Sequence, residues 1–241
     1  MRQLPLKVRI PDRAVFGTYF PARNLQAVDH LSLIAGGHRN ETTWVCGPQG
    51  VGKTHLLQAV CVAASESMQS GYYPLREMKS LGEGVLDNLP QFDCLCLDDL
   101  DSVTGHREWE LELFRVLREM QERGARLVMS AVVPPALIQW SLPDLGSRCA
   151  ASTIFQLRAL DEDEQREALK LRAHVRGVEL PDDTARWLQR RFPRDMRTLY
   201  ELLDTLDEAA LVAQRRLTVP FIRTVLRDSE ESRSPQSPGG Q

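Results

Sequence analysis

Gly47-Pro48-Gln49-Gly50-Val51-Gly52-Lys53-Thr54 is the stretch that decides the fold. It follows a short run of strand character, Thr42-Thr43-Trp44-Val45-Cys46, and opens an apolar-periodic helix, His55-Leu56-Leu57-Gln58-Ala59-Val60-Cys61. Strand, glycine-rich loop and helix in that order are the setting of a phosphate-binding loop. Glycines let successive backbone N–H groups curl around an anion without a Cβ in the way. A helix that starts near Gly52 points its positive dipole end and its unpaired N–H groups at the phosphates. Lys53 can reach the β- and γ-phosphate oxygens, and the Thr54 hydroxyl can ligate Mg²⁺.

Such a site needs a second, acidic element to hold the metal. Cys94-Leu95-Cys96-Leu97-Asp98-Asp99 supplies one, four apolar residues that end in two carboxylates. An all-apolar strand suits the middle of a parallel sheet covered on both faces, and the carboxyl edge of such a sheet is where ligands bind. In this reading Asp98 holds Mg²⁺, often through water, and Asp99 orients or deprotonates an attacking water.

The chain has 241 residues, 42% of them hydrophobic and 26% charged, which is ordinary for a soluble globular protein. Its net charge of −3 gives no general pull toward DNA or RNA, and the residues form no convincing local basic patch. The five cysteines have no metal-ligand spacing. Cys46, Cys94 and Cys96 fall in expected core strands and read as reduced thiols of a cytosolic protein. No N-terminal segment resembles a signal peptide, and the longest apolar stretch, near Leu127–Leu142, is broken by Pro134-Pro135.

Along the chain, a loop helix over about 54–69 leads to a strand at 71–75 and a helical stretch that reaches about residue 89. The acidic-ended strand covers 93–98. An amphipathic helix follows over Glu108–Arg123, with Leu111, Phe114, Leu117 and Met120 spaced three apart, and Gly124 stops it. Further strands are expected at 126–130 and 153–157. Strands alternating with helices imply a parallel α/β sheet with right-handed crossovers. After residue 160 the pattern turns wholly helical, over 161–176, 182–192, 194–215 and 219–227. The division expected is a flexible tail over 1–13, an α/β domain over 14–160, a small all-helical domain over 161–228 and a disordered polar tail over 229–241.

A five-stranded parallel sheet followed by a helical lid resembles the AAA+ architecture of P-loop NTPases. Within it, Gly52-Lys53-Thr54-His55-Leu56-Leu57, the Asp98-Asp99 strand end, Leu142-x-Asp144-Leu145-x-Ser147-Arg148 and Met196-Arg197-Thr198-Leu199 resemble the DnaA clade over roughly residues 14–228. That resemblance implies ATP or ADP on residues 47–55 with Mg²⁺ at Thr54 and Asp98. It implies that Arg148 is an arginine finger directed at nucleotide on a neighbouring molecule, and that Arg197 is a sensor-2 arginine for the chain's own nucleotide. Ser130 takes the polar sensor-1 role at the end of its strand. Val132 stands where relatives commonly carry an aspartate, which implies weak hydrolysis at this chain's own site and a nucleotide that acts mainly as a structural switch.

DnaA itself carries an N-terminal interaction domain and a C-terminal DNA reader, and this chain stops after the lid. A lone AAA+ module of this clade resembles the Hda-type regulators, for which the implied partners are DnaA and the β sliding clamp and the favoured nucleotide is ADP. Their clamp-binding peptide is built around Gln-Leu-x-Leu, and Gln3-Leu4-Pro5-Leu6 matches it. A flexible tail of this kind can insert two leucines into a hydrophobic groove while the glutamine hydrogen-bonds its wall. Lys7 departs from the hydrophobe often found next, so modest clamp affinity is expected. Contact through an exposed arginine finger also implies a head-to-tail or homodimeric association. The alternative reading is an AAA+ ATPase of the helicase-loader or transposition-helper type. Those relatives carry a folded N-terminal extension, and only about a dozen residues precede the core here. A sugar- or nucleotide-kinase fold fits less well, because four helices follow the last strand.

Overall fold

A computed structural model describes residues 14–192, 196–213 and 215–233. Five apolar runs form one parallel sheet: β1 (Thr42–Cys46), β2 (Ser70–Pro74), β3 (Cys94–Asp98), β4 (Arg126–Ala131) and β5 (Thr153–Gln156). Their order is β2-β3-β4-β1-β5. The chain leaving β1 therefore travels outward to β2, whereas the chain leaving β4 crosses β1 to reach β5. This reversal opens a crevice at the carboxyl ends of β1 and β4, where open α/β sheets hold ligands. The register determines what borders it. Val45 pairs with Ser130 and Leu97 with Met129, so Asp98, one residue past Leu97, lies level with Ser130.

Because successive side chains of a strand point to opposite faces, uninterrupted apolar strands build two cores. Trp44, Cys46, Leu95, Leu97, Leu127 and Met129 face one way, onto α4 (Arg107–Glu122) and α5 (Pro143–Ala150). Val45, Tyr72, Cys94, Cys96 and Val128 face the other, onto α1 (Leu25–Ala35) and α2 (Lys53–Ala64). Asp98 shares the parity of Cys94 and Cys96, which puts its carboxylate on the side of α2 and Lys53. All five cysteines are buried and free.

Several boundaries differ from the sequence reading. The helical stretch expected to residue 89 is a single turn, α3 (Leu75–Met78), followed by 3-10 turns at Lys79–Leu81, Glu83–Leu86 and Leu89–Gln91. Gly82 at φ 81°, Gly84 and Pro90 interrupt it. α2 stops at Ala64 rather than 69, where the Ser65 hydroxyl donates back to the Val62 carbonyl (2.6 Å). α1 was not foreseen. On α4 the buried face is Trp109, Glu110, Leu113, Val116, Leu117 and Met120, and Leu111, read as inward-facing, is 45% exposed.

The chain divides into two compact units, 1–159 and 160–241. The second is all helical: α6 (Glu162–Val175), α7 (Asp182–Arg191), α8 (Met196–Ala213) and α9 (Val219–Arg233). Asp161 caps α6, accepting from the Asp163 and Glu164 N–H groups while Glu164 accepts from the Asp161 N–H at 2.8 Å. Leu169, Leu188, Leu199, Leu203, Leu206, Leu217 and Ile222 form its core. α9 runs past the expected Arg227, because after Pro220 in its first turn no helix breaker comes before Pro235. Residues 1–13 and 234–241 of the two tails lie outside the described residues.

Candidate functional site

The loop between β1 and α2 turns on three glycines in the left-handed region, Gly47 (φ 153°), Gly50 (φ 79°) and Gly52 (φ 96°). Two are required by close approach as well. A Cβ on Gly47 would stand 2.8 Å from the Leu157 carbonyl oxygen, and one on Gly52 would stand 2.6 Å from the Tyr19 ring. The loop is thereby pinned between the end of β5 and the segment that precedes α1. Lys53, the first residue of α2, is only 7% exposed, and its ammonium donates to the Gly47 (2.8 Å) and Pro48 (3.0 Å) carbonyls. Burial holds the Lys53 pKa below its ordinary value, and the carboxylates of Asp99, Asp98 and Asp101 oppose that shift. A desolvated cation at the mouth of a glycine loop is stabilised by an anion placed against it.

The acidic arm is built around Asp98, which is 2% exposed. Its Oδ2 accepts from the Tyr72 hydroxyl (2.8 Å), and its Oδ1 accepts from the Ser130 hydroxyl and from the Asp99 N–H (3.2 Å). Burial, and after it the Asp98 carboxylate, drive the Tyr72 phenol upward, so Tyr72 remains a donor. Ser130 also accepts from the Asp99 N–H at 3.0 Å. Ser130, offered by the family resemblance for the polar sensor-1 role, thus touches both acidic residues. Asp99 stands in the left-handed region at φ 54°, and its side chain turns to Arg76, whose Nε donates to Oδ2 at 2.9 Å.

Further contacts brace the loop. Tyr19 donates to the Val51 carbonyl (3.3 Å), and burial pushes its phenol up to about 12. Asn24 clamps the Arg158 backbone, accepting from its N–H (2.8 Å) and donating to its carbonyl (2.9 Å). His55 Nε2 lies 3.2 Å from the Thr18 hydroxyl and 3.0 Å from the Val15 carbonyl, so it binds the N-terminal segment to α2. Val132 contributes backbone rather than side chain, its carbonyl accepting from the Gly47 N–H at 3.2 Å. Trp44 extends that link by donating to the Val133 carbonyl (3.1 Å) and packing edge-on against Trp140 at 6.3 Å.

Arg148 belongs to α5. Its Nη1 donates to the Gln121 side-chain oxygen at 2.7 Å, and its guanidinium lies over the Phe114 ring at 4.9 Å. Both of its partners are neutral, so its charge stays uncompensated among the described residues.

The helical unit adds the deciding comparison. Residues 161–226 match the family described as Hda, lid domain. The whole chain is similar in fold to domain III of the Thermotoga maritima replication initiation protein DnaA, with a TM-score of 0.75 at 18% identity over 90% of this chain and 97% of that one. AMPPCP-bound DnaA from Aquifex aeolicus gives 0.69 at 16% identity over 93% and 71%. A Thermotoga maritima RuvB variant gives 0.62 at 17% identity over 88% and 73%. These likenesses establish the AAA+ fold, a five-stranded parallel sheet with a helical lid.

Within the matched residues, Arg197 falls in the first turn of α8, and its side chain is outside the described residues. Gln3, Leu4 and Leu6 also lie outside them. Thr54 is exposed in the first turn of α2. Among the described residues no helix is long and apolar enough to cross a membrane.

Proposed function

We propose that this chain is a DnaA-related regulator of chromosomal replication initiation that holds a nucleotide on residues 47–55 and promotes hydrolysis of ATP bound to DnaA by presenting Arg148. The observation that carries the reading is the pairing of a fully formed phosphate loop, with the Lys53 ammonium turned into it, and an Hda-type lid in one chain. The residues fit the nucleotide. Backbone N–H groups of the glycine loop and Lys53 would receive phosphate oxygens, Thr54 and Asp98 would hold Mg²⁺, and Arg197 keeps the sensor-2 role that the resemblance gives it. A bound nucleotide supplies negative charge to a site that has already desolvated a cation.

The chain's own hydrolysis is weak in this reading. Asp99, the candidate base, is paired with Arg76, and Asp98 accepts from Tyr72, Ser130 and a backbone N–H, which leaves it lone pairs for a metal but no free geometry for a base. ADP then suffices to hold the active form. Arg148 is held by an amide and a ring that leave its charge intact, which suits a guanidinium that must meet phosphate on another molecule. An arginine supplied in this way contributes about 10³–10⁵ in rate. Gln3, Leu4 and Leu6 tether the regulator to the β sliding clamp, with modest affinity because Lys7 follows.

The test is ATP turnover by purified DnaA with DNA-loaded clamp. Adding this protein is expected to raise turnover, and Arg148→Ala to abolish the rise while leaving its own nucleotide affinity and clamp binding unchanged. Arg148→Lys rescues little, since a point charge lacks the planar two-donor grip. An Arg148→Ala protein that still stimulates DnaA would exclude the arginine mechanism and favour a loader-type ATPase.

A further inference from the structure

α4 carries one charge into its apolar face. Glu110 is wholly buried (0% exposed) among residues that pack under the sheet, at the helical spacing of Leu113 and Leu117. Its two carboxylate oxygens take two backbone donors from different parts of the chain. Oε1 accepts from the Gly105 N–H at 2.7 Å, and Oε2 accepts from the Leu142 N–H at 2.6 Å. Gly105 lies in the turn between the Asp98-Asp99 strand end and α4. Leu142 is the residue that starts α5, and it has no side-chain oxygen with which to cap that helix.

A buried carboxylate is tolerated only where its oxygens are satisfied, and an apolar side chain would fill the same space at no such cost. What the carboxylate adds is direction. It fixes the start of α5 against the first turn of α4. At the far end of α5, Arg148 is fixed to the same helix by Gln121 and Phe114. One helix thus clasps α5 at both ends. We infer that Glu110 is a positioning residue for Arg148: through the Leu142 N–H it sets the place and tilt of the helix that presents the guanidinium. This inference rests on the reading of Arg148 given above.

Glu110→Gln keeps the shape and presents an N–H₂ group where one of two backbone donors requires an oxygen. Turnover of ATP by DnaA on DNA-loaded clamp is measured against increasing amounts of wild-type, Glu110→Gln, Arg148→Ala and doubly substituted protein. The plateau for Glu110→Gln is expected to fall about 10- to 100-fold, the cost of a misplaced catalytic group. In the Arg148→Ala background the second substitution should change nothing. A purely structural defect reduces only the fraction of active protein, so recovery of the wild-type plateau at high concentration would overturn the proposal.

Hydrogen exchange in the ADP-bound protein separates the two readings. Faster exchange at the Leu142 and Gly105 amides in Glu110→Gln supports the clasp, and unchanged exchange refutes it, whatever Arg148→Ala does. If Arg148→Ala stimulates like wild type, the arginine mechanism fails on its own account. Should Glu110→Gln fail to fold, Glu110→Asp enters the same two measurements, keeping the charge and shortening the reach.

Discussion

Lys53 shows how much a single side chain decides. Its ammonium is buried, pulled below its ordinary pKa by desolvation, and turned inward onto two loop carbonyls. Lys53→Ala removes the one side-chain charge of the loop, and the loss of a charge-assisted contact of about 1.5–3 kcal/mol predicts ADP binding weaker by roughly 10- to 100-fold. Titration with labelled ADP reads this directly, and equal affinities would discard the phosphate-loop assignment. A second residue gives the molecule an acid limit. His30 lies buried against Phe155, its Nε2 2.9 Å from the Thr43 hydroxyl, and desolvation holds its pKa below 6.5 despite the opposing Glu41 carboxylate. The unfolded chain therefore binds a proton that the folded one resists, and stability falls as pH drops below about 6.5. Between pH 7 and 5 the Tm of wild type should fall further than that of His30→Gln. Parallel curves would assign the acid sensitivity to carboxylates alone.

At the scale of elements, the loop stands out because its glycines answer to contacts on two sides. Gly52→Ala forces a Cβ into the Tyr19 ring at a left-handed φ, and a cost of about 1–2 kcal/mol from backbone strain alone is expected. Calorimetry should show a lower Tm and titration a weaker nucleotide site; an unchanged protein would mean that the Tyr19 segment does not brace the loop. The sheet was legible because its strands are uninterrupted apolar runs bounded by glycine or charge, and the phosphate loop because strand, glycines and Lys-Thr come in fixed order. Asp98 was legible for the same reason, as a carboxylate that ends such a run, whereas Ser130 came from the family resemblance alone. The segment 75–91 was misread because helical periodicity outweighed Gly82, Gly84 and Pro90, which break it into single turns. Spacing by threes on α4 found Leu117 and Met120 but put Leu111 on the buried face in place of Leu113, with which Glu110 shares it. A carboxylate at a core position was the available signal there, and it was hidden by the assumption that charge faces water. Tyr72, Arg76 and Asn24 reach the site through tertiary contacts that no local pattern records.

The molecule as a whole is two units, the first with an apolar core on each face of its sheet and the second with one of its own, and the proposed tether is assigned to residues 1–7. Deleting those residues should leave Tm and ADP affinity intact and abolish clamp association. Co-elution of the shortened protein with clamp on size exclusion would remove Gln3, Leu4 and Leu6 from the tether. Trp44 completes the picture at this scale. It sits wholly buried at the centre of β1, three residues before Gly47, and it is hydrogen-bonded to the same post-β4 segment whose Val132 carbonyl takes the Gly47 N–H. An indole so placed is an optical gauge of the loop: any shift of the glycines against β4 alters the field around it and its edge-on contact with Trp140. Nucleotide occupancy should thus be readable from the protein's own fluorescence, without a label and without waiting for a reaction to occur.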